Sequence, residues 1–229
     1  MSKFKACKLL VVSLFAVSFS AQSLAADEEV PASGGNWVDF SDPTAIYSKV
    51  GIATGTEGVD VFASLASYLA GQFEQKLTVE AKHDMDYFNV NYLAFNTTEW
   101  TGFSLDTYWD DEYDQVAFGV IKKLAFQENQ NINVYPSMKL GHMWSWDDTI
   151  SSTTYVELDA TVRYSVNPSF WLGVTPKYKY ALNGEDINDL TATVDIGYQL
   201  AEEVALAAHA TNSNNEDDDE IWADFTFAF

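Results

Sequence analysis

Three histidines are the first residues to test for chemistry in this sequence of 229 residues. Nucleophilic catalysis needs a Ser or Thr with a His in reach and a third group to orient that His. His83 precedes Asp84 and Asp86, His142 follows Gly141, and His209 lies among alanines. None stands beside a serine in a pattern that would assemble a nucleophile. Asp110, Asp111 and Glu112 are adjacent carboxylates of the kind used in acid–base work, but on an acidic loop they read as hydration. The sequence has no Gly-rich phosphate loop, Cys/His metal cluster or nucleotide fingerprint. No catalytic residue and no cofactor is assigned, and an enzyme is not expected.

The run Glu216, Asp217, Asp218, Asp219 and Glu220 could offer oxygen ligands to Ca²⁺ or Mg²⁺, and through them a bridge to lipopolysaccharide phosphates. It lacks a spaced calcium-loop pattern with a central Gly, so it reads as a solvated loop and no metal site is assigned. Half of the 34 acids fall in this and similar stretches, including Asp147-Asp148 and Glu185-Asp186.

The remaining charges follow a different rule. Lys49, Lys76, Lys82, Lys139, Arg163, Lys177 and Lys179 each fall on the polar parity of an alternating segment. So do Glu74, Glu80, Asp106, Glu157, Asp159, Asp195 and Asp224. Gathered on one face, these fourteen groups would make a wet, charge-balanced interior. They either line an aqueous path or pair across a closed lumen. The inward parity of Gly102, Gly119, Gly173 and Gly197 leaves space and favours the path.

The elements that must position them are strands. Val156, Leu158, Ala160, Val162, Tyr164 and Val166 alternate with Tyr155, Glu157, Asp159, Thr161, Arg163 and Ser165, a period of 2 with one apolar face. The same alternation recurs at about 46–54, 59–69, 73–82, 88–94, 100–109, 114–126, 131–146, 170–180, 190–200, 204–210 and 221–229, twelve candidate strands in all. Ten or fourteen would require two of these segments to be misread. Pro136 and Pro176 remove ladder donors, so bulges are expected there. Connections near 70–72, 96–99, 127–130, 167–169 and 201–203 are short; those near 110–113, 147–152, 183–189 and 213–220 tend to be longer and are acidic. Trp100, Trp109, Trp144, Trp146, Trp171 and Trp222 lie near predicted turns, where interfacial indoles of a membrane protein would form two girdles.

The two ends of the chain agree with a membrane destination. Lys3, Lys5 and Lys8 precede an apolar run from Leu9 to Phe19, too short to span a bilayer as a helix. Ser23 and Ala25 supply small residues for signal-peptidase cleavage after Ala25. Cys7, the single cysteine, leaves with that signal, and the mature chain of 204 residues carries a net charge of −25 after three signal lysines are lost from −22. Such acidity excludes nucleic acid as a partner, because phosphate neutralisation needs clustered cations.

At the other end Ile221, Ala223, Phe225, Phe227 and Phe229 alternate with polar residues up to the carboxyl terminus. This closing strand resembles that of Gram-negative outer-membrane β-barrels, porin-like in class, and Phe225, Phe227 and Phe229 resemble the signal read by the barrel-assembly machinery. The resemblance implies an all-β fold: a transmembrane, antiparallel, up-and-down β-barrel of about twelve strands, with both termini and the short turns periplasmic. It divides the chain into a signal peptide (1–25), a periplasmic amino-terminal segment (26–45) and a barrel (46–229). Whether 26–45 hangs free or folds up as a plug is left open by the sequence. The expected partners are outer-membrane lipid and lipopolysaccharide, the assembly machinery, and small hydrophilic solutes or cations. Twelve-stranded channels for acidic oligosaccharides resemble arginine-lined tubes, and one mature arginine argues against that cargo. The expected function is passive diffusion with a preference for cations; the rival is a non-conducting surface protein whose acidic loops dock partners.

Overall fold

The structure is a computed structural model that describes residues 38–110, 113–126, 129–145, 151–214 and 219–229. The expected signal peptide, the first part of the amino-terminal segment, Trp146 and the acids 111, 112, 147, 148 and 216–218 lie outside the described residues. Alternation drives the chain into β1 (Lys49–Gly55), β2 (Gly58–Ala70), β3 (Phe73–Lys82), β4 (Tyr87–Asn96), β5 (Thr101–Trp109), β6 (Tyr113–Lys122), β7 (Leu124–Phe126), β8 (Asn129–Ser145), β9 (Thr153–Asn167), β10 (Phe170–Asn183), β11 (Asn188–Ala201), β12 (Val204–Ser213) and β13 (Glu220–Ala228). Each strand pairs antiparallel with its chain neighbours, except that β7 follows β6 end to end. β1 closes on β13 with Lys49 opposite Ala228 and Gly55 opposite Trp222.

The ring has twelve staves, because β7 continues β6. Ile121 opposes Ser137 and Leu124 opposes Val134, so the register on β8 is the same before and after the break at Lys123. Lys122 and Lys123, unpaired toward β8, lie opposite Pro136 and Tyr135. A residue in an antiparallel ladder bonds to only one of its two neighbours, and proline has no N–H to give. Pro136 therefore interrupts the ladder on the β6–β7 side while remaining in step with Ala160 of β9. Pro176 likewise stays in step with Ala192, and the β9 register is unchanged from Val174 to Lys177. The bulges expected at both prolines are absent: a lost donor interrupts a ladder but inserts no extra residue. Register shifts fall elsewhere, between Phe170 and Trp171, Ala181 and Asn183, Gln199 and Ala201, Tyr68 and Ala70, and Ala125 and Phe126.

Closure pairs each of the twelve staves on both sides, the way a sheet satisfies its backbone in hydrocarbon, while the short β7 end of one stave pairs with β8 alone. The two faces then separate by parity. Phe118, Leu140, Leu190, Val194 and Ile196 point outward and are exposed, as are Phe225, Phe227 and Phe229. Ser64, Thr153, Tyr135 and Tyr155 point inward and are fully enclosed. An apolar belt with a polar interior is the inverse of a soluble barrel and matches a hydrocarbon surround. One rim holds the short turns at 71–72, 168–169 and 202–203, together with Phe229, whose N–H donates to the Ser48 carbonyl at 3.0 Å. We call this the terminal rim and the other the far rim.

Candidate functional site

Strand register brings all fourteen singled-out charges to the interior face. β3 carries Glu74, Lys76, Glu80 and Lys82; β9 carries Glu157, Asp159 and Arg163; β10 carries Lys177 and Lys179. Lys49, Asp106, Lys139, Asp195 and Asp224 come from β1, β5, β8, β11 and β13. Opposite charges face one another directly: Lys139 opposes Glu157, Glu157 opposes Lys179, and Asp159 opposes Lys177. Such cross-strand partners lie within side-chain reach.

Toward the far rim, one wall forms a belt. Lys139 Nζ lies 3.0 Å from Asp106 Oδ2 and 3.1 Å from Glu157 Oε1, so one ammonium bridges two carboxylates. Lys179 approaches Glu157 from the other side at 3.9 Å and sits 4.8 Å from the centre of the Tyr155 ring. Asn91 donates to Asp106, and Ser137 donates to Asp159. Nearer the terminal rim, Arg163 Nη1 pairs with Asp195 above Gly173.

The opposite wall borders a cavity. A cavity of about 250 Å³ is bounded by Lys49, Asp60, Glu80, Lys82, Trp222 and Asp224, among others. His209 Nε2 lies 2.8 Å from Asp224 Oδ2, and its ring stacks on Trp222 at 4.7 Å with 7° between planes. Lys82 reaches Asp60 at 3.9 Å. Glu74 lies near the terminal-rim end of β3, away from these groups.

At the terminal rim, residues 38–48 turn into the barrel. Asp42 pairs with Lys123 at 2.5 Å. Lys76 Nζ donates to the Ala45 carbonyl at 2.7 Å and the Pro43 carbonyl at 3.4 Å, and Arg163 Nε donates to the Ser41 carbonyl at 3.0 Å. Asp42 and Thr44 are 7% and 2% exposed, so the segment is enclosed. Burial and the nearby carboxylates of Asp39 and Asp42 push the Tyr47 phenol above its ordinary range.

Two expectations need correction. The inward glycines are not open space. A Cβ on Gly197 would run into the Trp171 indole, one on Gly173 would meet Arg163 Nη1, one on Gly119 would fall 2.5 Å from Lys139, and one on Gly102 would fall 2.7 Å from both Phe95 and a backbone carbonyl. They are beds for side chains crossing from adjacent strands. The girdle reading fails for Trp171 and Trp222, which share the interior parity of their strands; Trp171 is 6% exposed and covers Gly197.

Sequence reasoning also missed Lys123, Asp60 and Asp42. Counting parity through β6 and β7 places Lys123 on the face of Gly119 and Ile121, and counting through β2 places Asp60 on that of Phe62 and Ser64. Asp42 belongs to no strand and carried no periodic signal. Among the described residues no group of His, Cys, Asp and Glu could hold a metal ion. His142 points outward without a bulge at Gly141 and meets Thr154 at 3.0 Å, outside the interior chemistry.

With this geometry in view, the solved structures give the comparison. The chain is similar in fold to the KdgM and NanC porins. A KdgM porin in complex with disordered oligogalacturonate aligns with a TM-score of 0.56 at 8% identity, covering 80% of this chain and 99% of that one. A second KdgM porin structure gives 0.55 at 9%, covering 80% and 99%. A NanC porin gives 0.54 at 10%, covering 81% and 99%. No protein-family model matches the chain, and no curated protein matches it by sequence.

Proposed function

We propose that the chain is a porin-like channel of a Gram-negative outer membrane, passing small hydrophilic solutes or ions by passive diffusion with a preference for cations. The observation that carries this reading is the inversion of the barrel: an apolar belt outside and charges of both signs inside, on a ring of twelve strands. Twelve strands lie between filled eight-stranded barrels and open channels of 16–18. The fold likeness to the KdgM and NanC porins supports it.

Which charges are engaged supports a cation preference. Lys139, Arg163, Lys76 and Lys123 are held by carboxylates or carbonyls. Glu57, Asp84, Asp86, Glu185 and Asp186 stand at the far rim, where field focusing would raise the local cation concentration. The fourteen interior groups form the proposed lining, with Phe225, Phe227 and Phe229 as the assembly signal. The outward belt would meet lipid, and lipopolysaccharide would meet the far rim. The oligogalacturonate held by one KdgM porin is not carried over. The one mature arginine, Arg163, is already committed to Asp195 and the Ser41 carbonyl.

The filled glycine beds favour a second reading, a closed surface protein. Swelling of proteoliposomes containing the refolded chain separates the two. Swelling with small uncharged sugars supports diffusion, and swelling no faster than in protein-free liposomes supports the closed barrel.

A further inference from the structure

We propose that residues 38–47 form a built-in plug that closes the terminal rim of the channel and is released without disturbing the barrel, Ser48 staying bonded to Phe229 and Ala66 of the wall. This inference rests on the channel reading above. The segment spans the mouth rather than lining one side. Its fastenings fall on Lys76 of β3, on Lys123 at the junction of β6 and β7, and on Arg163 of β9. β3 and β9 are five steps apart one way around the ring and seven the other, so these anchors lie almost across the lumen. Beside the segment lies a pocket of about 310 Å³, bounded by Val38, Asp39 and Ser41 on one side and by Ser165, Trp171 and Gln199 of the wall on the other.

The manner of attachment makes the plug releasable. The backbone bonds within 38–45 are local turns: Phe40 to Val38, Asp42 to Asp39 and Ala45 to Asp42. None of these bonds belongs to a ladder of the barrel. Three interior cations hold the segment instead, two of them by donating to its carbonyls. Withdrawal would therefore exchange side-chain contacts for water and leave every ladder intact, the condition for a local opening well below global unfolding. Asp42 is the principal latch. It pairs with Lys123 and also accepts from the Thr44 N–H at 2.7 Å and the Thr44 hydroxyl at 2.6 Å, setting the turn that presents the Pro43 and Ala45 carbonyls to Lys76.

The test uses the full mature chain, whose lack of cysteine makes engineered thiols unique. Asp42→Cys with Lys123→Cys is joined by a short bis-maleimide in refolded protein, and its planar-bilayer conductance is compared with wild type and with Asp42→Ala. The expected results are an efficient cross-link, suppression of conductance by it, and open-state occupancy about tenfold higher in Asp42→Ala, equivalent to about 1.4 kcal/mol. Failure to cross-link in folded barrels overturns the position of the plug. Equal conductance in all three proteins, with the cross-link formed, overturns its closing role and leaves the channel reading standing. Silence from all three, folded and cross-linked as expected, overturns the channel reading and the plug with it.

Discussion

Two walls of the same interior solve the problem of enclosed charge differently. On the wall of β5, β8, β9 and β10, Lys139 bridges Asp106 and Glu157 while Lys179 approaches from behind, so charges neutralise one another across neighbouring strands. On the wall of β12, β13 and β1, His209, Trp222 and Asp224 border a cavity, and Gly51 is a bed for the Phe62 ring. One wall is built for rigidity. The other borders a cavity of about 250 Å³.

The largest expected effect breaks the crowded wall. Lys139→Met removes the cation shared by two carboxylates, leaving Asp106 enclosed without its ion partner and Glu157 with the more distant Lys179. Losing Lys139 should cost about 3–5 kcal/mol, read as a lowered unfolding midpoint in urea with the barrel in detergent. A midpoint equal to wild type would mean that water, rather than Lys139, already compensates Asp106 and Glu157.

Next comes Gly197→Ala, whose Cβ would displace the Trp171 indole from its bed. Overpacking of this kind costs about 1–3 kcal/mol, checked in the same unfolding experiment. No loss of stability would show that Trp171 moves aside freely and that the bed is not a packing constraint.

On the wall that borders the 250 Å³ cavity the expected signature is reversed. Trp222→Ala should enlarge the 250 Å³ cavity and raise single-channel conductance while costing less stability than Lys139→Met. A conductance equal to wild type would place the path elsewhere. The smallest effect belongs to Lys177→Gln with Lys179→Gln, which should shift the reversal potential further toward cation selectivity. An unchanged potential in a conducting variant would remove both lysines from the constriction.

The faces of this barrel were legible because a period of 2 needs no partner to be read. Val156 to Val166 declared an apolar side and a charged side, and all fourteen charges followed from the same count. Contacts between strands were less accessible. His209 meets Asp224 because β12 and β13 pair with Ala208 opposite Ala223, a register that neither strand encodes alone. Inward glycines read as vacancies, because Trp171 and Arg163 reach them from another strand. Residues 38–48 are harder still: their position is set by Lys76, Lys123 and Arg163, distant in sequence and convergent only after closure. Pro136 shows the opposite case, a strong local signal with a smaller consequence than expected, since the ladder to β9 holds the register that the ladder to β6 and β7 cannot.

The most direct measurement is planar-bilayer recording of the refolded mature chain beside Asp42→Ala, with a salt gradient across the membrane. Discrete steps with a cation-signed reversal potential are predicted, more frequent in Asp42→Ala. Silence from both proteins, each shown to be folded and inserted, would contradict the channel and leave a closed surface barrel.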